Sequence, residues 1–213
     1  MNFSVAVHKA RLACLLTMLA VLAPEMARAG KYNDVLNIGD AAPVWADLPG
    51  VDDKQHSLAD LSNKPVVVVI FTCNSCPIAV DYEDRIIALA KKYSSADSKV
   101  AVVAINVNNV EADKLPKMRE RAELKGFNFP YLYDESQKIA RQFGANFTPE
   151  FFVLNAERKI AYMGGMDDNS DPTKVTVNYL DPAIEAVLAG HAPETAETVA
   201  RGCRVRYQRE RRK

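Results

Sequence analysis

Residues 65 to 71, Pro65-Val66-Val67-Val68-Val69-Ile70-Phe71, are continuously apolar and mostly β-branched. Such a run marks a strand buried on both faces, which in turn demands a covering layer on each side. Thr72 and then Cys73-Asn74-Ser75-Cys76-Pro77 follow directly. From Ile78 the apolar residues fall at 78, 82, 86, 89 and 93, leaving Asp81, Glu83, Asp84, Arg85, Lys91 and Lys92 for a wet face. That is helical spacing. Two cysteines with two residues between them are therefore expected at a strand-to-helix junction.

The remaining pattern repeats the alternation. Residues 31 to 64 read as a lead-in with one small hairpin. Lys99 to Val107 is a second buried strand, and 111 to 125 a charged helix ended by Gly126. Strand, helix, strand with a connection of this length implies a parallel pair. A short helix over Ser136 to Phe143 stops at Gly144, and Glu150 to Leu154 with Lys159 to Met163 reads as a hairpin about Asn155 to Arg158. Residues 164 to 180 are loop-like. Asp181 and Pro182 then start a last helix that runs to Leu188. The fold class expected is α/β, a central mixed sheet flanked by helices with a C-terminal hairpin and helix.

Residues 1 to 29 carry Lys9 and Arg11, the apolar stretch LACLLTMLAVLA and Ala27-Arg28-Ala29. They read as a secretory signal peptide cleaved after Ala29, with Cys14 as filler in its apolar stretch. That stretch is shorter than the roughly 20 residues of a spanning helix. A soluble chain, periplasmic or secreted, is expected, not membrane-spanning after cleavage. Of 213 residues 184 then remain, enough for one domain, taken as 36–190, followed by a tail over 191–213. Arg201, Arg204, Arg206, Arg209, Arg211, Arg212 and Lys213 make that tail basic, and it is expected to be solvated. The whole chain has 27 basic and 27 acidic residues, so there is no nucleic-acid footprint.

Cys73, Cys76 and Cys203 survive processing. A thiolate at a helix amino-terminus is stabilised by the dipole and the unpaired N–H groups. This suits Cys73 as nucleophile and Cys76 as the resolving thiol that closes a small ring. Pro77 lacks the N–H that a Cys73 cap would use, so the helix is expected to begin at Pro77 with Cys73 in the turn above it. A permanent bridge gains little from so small a ring. Zinc would need two more ligands at matching spacing, and only Cys203, His56 and His191 are on offer. No cofactor beyond the cysteine pair and no metal is expected. Cys203 stays open among an idle thiol, a partner in an intermolecular or tail-to-site disulfide, and a metal ligand. Trp45, Phe151 and Phe152 are read as core, His56 and His191 as solvated.

Phe147-Thr148-Pro149 directly before a strand adds a proline at the position that caps an edge or turns cis. Buried strand, C-x-x-C, helix, strand, helix, then Thr-Pro opening a hairpin and a final helix resembles the thioredoxin fold. The resemblance implies a cis Pro149 beside the cysteines and a Thr148 backbone that pairs with substrate. More closely, Phe71 to Pro77, Tyr82-Glu83-Asp84-Arg85, Thr148-Pro149-Glu150 and Asp167-Asp168-Asn169 resemble the exported, peroxiredoxin-like branch of the redoxin (AhpC/TSA) family, over about residues 36 to 190. The family's P-x-x-x-T-x-x-C-P would align its cysteine with Cys76, but Cys73 stands in the threonine position and Val69 in the proline position. No arginine stands beside Thr148-Pro149. These departures argue against peroxide reduction and for disulfide exchange. Thioredoxin's buried aspartate is Val67 here, which makes Glu150 the candidate proton acceptor.

The expected function is an exported thiol–disulfide oxidoreductase acting on protein or small-molecule thiols and disulfides, with a membrane electron donor or an oxidant protein as its further partner. The direction of transfer stays open. Alternatives are a weak peroxidase, a copper module similar to Sco proteins, and a docking protein with a vestigial dithiol.

Overall fold

A computed structural model of the chain describes residues 30–209. The expected leader with its Cys14 and the last four residues lie outside them. The elements in chain order are β1 (Leu48–Pro49), β2 (Gln55–His56), β3 (Val66–Thr72), α1 (Pro77–Lys92), β4 (Val100–Asn106), α2 (Leu115–Lys125), β5 (Tyr131–Tyr133), α3 (Lys138–Phe143), β6 (Phe147–Thr148), β7 (Glu150–Leu154), β8 (Ile160–Gly164), α4 (Leu180–Leu188) and β9 (Cys203–Arg204). Among the described residues the main sheet has the order β5-β4-β3-β7-β8. β3, β4 and β5 run parallel, β7 runs antiparallel to β3, and β8 runs antiparallel to β7. This is the mixed, helix-flanked α/β sheet of the thioredoxin-like class.

β3 is central and every one of its residues is buried. Its alternate side chains feed two cores, as strand geometry requires. Val66, Val68 and Ile70 meet Tyr82, Ile86 and Leu89 of α1 with Ile184 of α4. Val67, Val69 and Phe71 meet Trp45, Phe143 of α3 and Phe152 of β7. Phe71, Phe143 and Phe152 pack edge to face with ring centres 5.1–5.7 Å apart, a geometry the ring quadrupoles favour. Two covered faces are why β3 carries no polar alternation.

Four expectations need correction. The helix expected over 111 to 125 is a 3₁₀ turn, Glu111–Asp113, followed by α2. Pro116 would clash with the carbonyl one turn back, so a continuous helix is excluded. β5 was not anticipated, being three residues long between Pro130 and Asp134. Glu83 and Arg85 are not on a wet face. Buried Glu83 takes a bidentate pair of bonds from Arg121 at 2.8 and 2.7 Å, tying α1 to α2. The tail is not solvated either. Val205 is buried in the α3-side core with Tyr207 against it, and β9 pairs with β6.

Candidate active site

β3 ends at Thr72, and α1 opens with Pro77 at its first position and Cys76 as N-cap. Proline suits that place because its missing N–H would be unpaired there anyway. The Ala79 N–H donates to Cys76 Sγ at 3.4 Å, and the Cys203 N–H donates to the same sulfur at 3.3 Å. The electropositive helix end is thus spent on Cys76, with Cys73 in the turn above. Both sulfurs are buried, their residues 3% and 2% exposed, and the helix begins at Pro77 with Cys73 in the turn above it, as expected from the sequence. Burial pushes the Cys73 thiol above its ordinary pKa. A hydrogen bond with Thr148 acts in the opposite sense, and the nearby Asp113 charge adds to the rise.

The Thr148-Pro149 bond is cis. Thr148 meets both cysteines: its Oγ1 is 3.3 Å from Cys73 Sγ and its carbonyl oxygen is 3.1 Å from Cys76 Sγ. β6 pairs antiparallel with β9, setting Thr148 opposite Cys203. There a disulfide joins Cys76 to Cys203, with Cα atoms 5.8 Å apart, and among the described residues Cys73 is the free thiol. The sequence reading paired Cys73 with Cys76 and left Cys203 open. The docked tail strand, which carries Cys203 onto the Thr148 edge, is the reason for the difference.

A polar network under the C-x-x-C turn was missed entirely. Asp113, fully buried, accepts from the backbone N–H of Asn74 at 2.7 Å and of Ser75 at 3.0 Å, and from the Ser75 hydroxyl at 2.5 Å. The Tyr131 hydroxyl donates to Asn74 Oδ1 at 3.0 Å, and Asn106 Nδ2 donates to that hydroxyl at 3.1 Å. The two residues between the cysteines are therefore pinned by a carboxylate from the loop after β4. In the sequence Asp113 reads as an ordinary first-turn acid, and nothing local marks it.

Glu150 does not reach the sulfurs. Its Oε2 accepts from the N–H of Asn146 at 2.8 Å and of Phe147 at 3.0 Å, bracing the turn before Thr148. Burial raises its pKa to about 7, against the opposing pull of those two N–H groups. Tyr82, Arg85, Asp167 and Asn169 do converge. Asp167 accepts from the Tyr82 hydroxyl at 2.7 Å and from Arg85 at 2.5 Å, and Arg85 also donates to the carbonyls of Asn169 and Ser170 at 3.0 and 2.5 Å. This clamp fixes the loop after β8 against the helix that carries Cys76. A depression of about 240 Å³ lined by Ile78, Asp168, Asn169, Ser170, Arg201 and Gly202 borders the cysteine cluster. A cavity of about 430 Å³ lies away from it around Ile38, Glu157 and His191. Among the described residues no group of three or more His, Cys, Asp or Glu side chains converges as a metal-holding set, and no helix is long and apolar enough to cross a membrane.

A thioredoxin-like sheet, a C-x-x-C at a helix start and a cis Thr-Pro opposite it define a thiol-dependent redoxin. The chain belongs to the AhpC/TSA family, whose model matches residues 38–163. It is 26% identical over 157 residues to peroxiredoxin Bcp of Escherichia coli, covering 68% of this chain and 96% of that protein. A putative peroxiredoxin of Mycobacterium tuberculosis is 27% identical over 114 residues, 52% of this chain. That match spans only 65% of the relative's own length. Among solved structures, an uncharacterized conserved protein of Geobacillus kaustophilus superposes with a TM-score of 0.77 at 30% identity, covering 84% of this chain and 96% of that one.

Proposed function

We propose that the chain is an exported thiol–disulfide oxidoreductase that uses Cys73 and Cys76 as a dithiol–disulfide couple on protein or small-molecule thiols. The observation that carries this reading is Thr148, which sets one oxygen against each sulfur beside a cis proline. Cys73 meets the substrate and Cys76 leaves or resolves. The Ala79 N–H and the helix end stabilise Cys76 as a thiolate. That stabilisation stands in for the missing proton acceptor of the resolving step.

It also favours one direction. A reduced form stabilised through one thiolate makes the disulfide an oxidant. A substrate thiolate attacks Cys73 of the Cys73–Cys76 disulfide, Cys76 departs, and a second substrate thiol releases Cys73. The substrate loses two electrons and the protein gains them. Periplasmic or secreted thiol proteins are the substrate class, and a membrane or soluble redox partner reoxidises the pair.

The test is equilibration of Cys203→Ser with glutathione, read by alkylation and mass, with Cys73→Ser added as control. A two-electron couple between about −120 and −220 mV that needs Cys73 is expected. Absence of any such couple would sink the reading.

A second reading, thiol peroxidase, is favoured by Cys76 standing as N-cap before Pro77, where the family's peroxide-reducing cysteine aligns. It requires hydrogen peroxide to consume Cys76 far faster than a free thiol. A rate equal to that of free cysteine excludes it.

A further inference from the structure

The tail is anchored on both sides of a short segment. Upstream, Thr198 Oγ1 accepts from the Gly165 N–H at 2.9 Å. Downstream, the N–H groups of Val205, Arg206 and Gln208 donate to Asn146 O, Asn108 Oδ1 and Gln137 Oε1 at 2.9, 2.9 and 2.8 Å. Between these anchors the chain lies across Thr148, held by the Cys76–Cys203 bond and the two-residue ladder of β6 with β9. Gly202 lies so close to the Thr148 carbonyl that a Cβ there would collide with backbone. Cys73, a free thiol, lies against the same Thr148. A free thiol thus stands beside a disulfide at one residue.

We propose that Cys203 is a third redox-active thiol of this site, which Cys73 displaces from Cys76, so that the tail strand leaves the Thr148 edge as the disulfide moves to Cys73–Cys76. The Cys73 thiolate attacks Cys76 Sγ, the Cys73–Cys76 bond forms, the Cys76–Cys203 bond breaks, and Cys203 takes up the proton that Cys73 lost. Electrons and atoms balance within the molecule, and no external oxidant is consumed. While the strand is down, β9 occupies the edge on which an extended polypeptide would pair with Thr148. Once it lifts, that edge is free, and the occupant that fits is a segment of extended chain carrying a cysteine in the Cys203 position. The step rests on the reading above only in taking Cys73 and Cys76 as a couple.

The experiment is disulfide mapping by mass spectrometry of the full chain, acid-quenched at intervals during oxidation by oxidised glutathione. Amide hydrogen exchange over residues 201–205 is followed in parallel. Both Cys76–Cys203 and Cys73–Cys76 peptides are expected in the wild type, interconverting at constant thiol count. Cys73→Ser is expected to hold only the first bond and Cys203→Ser, or Cys203→Ala as a second variant, only the second. Exchange over 201–205 is expected to be at least about tenfold faster in the Cys73–Cys76 form. Gly202→Ala is expected to shift the wild-type mixture toward Cys73–Cys76. A wild type that holds Cys76–Cys203 without interconversion, or a tail equally protected in both forms, overturns the proposal. In that event a glutathione couple in Cys203→Ser still supports the oxidoreductase, and loss of that couple removes the oxidoreductase reading separately.

Discussion

Glu150 shows what a single side chain gains and loses by burial. Its carboxyl is held protonated to about pH 7, against an ordinary value of 4.5. The folded state therefore binds a proton between those values that the unfolded chain has released, so stability falls as pH rises through that window. Its favourable contribution is full below about 4.5 and gone above about 7, a difference of about 3 kcal/mol at most. Glu150→Gln keeps an acceptor for the Asn146 and Phe147 N–H groups and removes the titration. Urea midpoints at pH 5 and pH 8 should show the wild type losing stability relative to the variant, and parallel pH profiles would refute the assignment. Why the sequence misassigned this residue is a matter of strand parity. Glu150 shares a face of β7 with Phe152, on the α3 side of the sheet, while Phe151 points to the α1 side. The type and place of Glu150 were legible, but its face became so only once the sheet was known.

At the scale of elements, patterned segments were legible and those held by distant partners were not. β3, α1, β4, β7 and β8 were readable because apolar period and run length suffice for elements covered on known faces. β5 is too short to carry a period. The tail misled because its arginines dominate its composition. Yet Cys203, Val205 and Tyr207 alternate with them, a two-residue period that the basic count concealed. Cys73, Cys76, Thr148 and Pro149 could be assembled from the resemblance to the thioredoxin fold, whereas Asp113 reaches the C-x-x-C turn from a segment 38 residues away. Asp113→Asn keeps the size of the side chain and removes its charge. A stability loss of about 1–3 kcal/mol is expected, since bonds to a charged group are weakened. Cys73, faced by Asp113, Tyr131 and Cys76, should at the same time alkylate a few-fold faster at pH 8, because a charge that opposes its thiolate is gone. Denaturant midpoints and iodoacetamide rates check both, and an unchanged alkylation rate would separate Asp113 from the electrostatics of the thiol.

Over the whole molecule, the Cys76–Cys203 bond spans 127 residues, most of the described chain, whereas a Cys73–Cys76 bond closes a ring of four residues. In the chain-entropy picture the long loop contributes about 5 kcal/mol and the small one about 2 kcal/mol. Reductant should therefore lower the melting temperature of the wild type by roughly 10 °C or more and that of Cys203→Ser by less than about half as much. Equal shifts for both proteins would show that the long bond stabilises the fold no more than the small ring does. Moving the disulfide to the small ring gives up that protection against unfolding, so the form with the closed tail is the one that resists unfolding better.

The docked tail has one more effect, on the chain's lifetime. Opening precedes cleavage by any protease in the surroundings, and cleavage follows the population of open molecules. A molecule that has lost the long bond opens more often. Reduced copies are therefore expected to be cleaved before oxidised ones, which limited proteolysis with and without reductant would show.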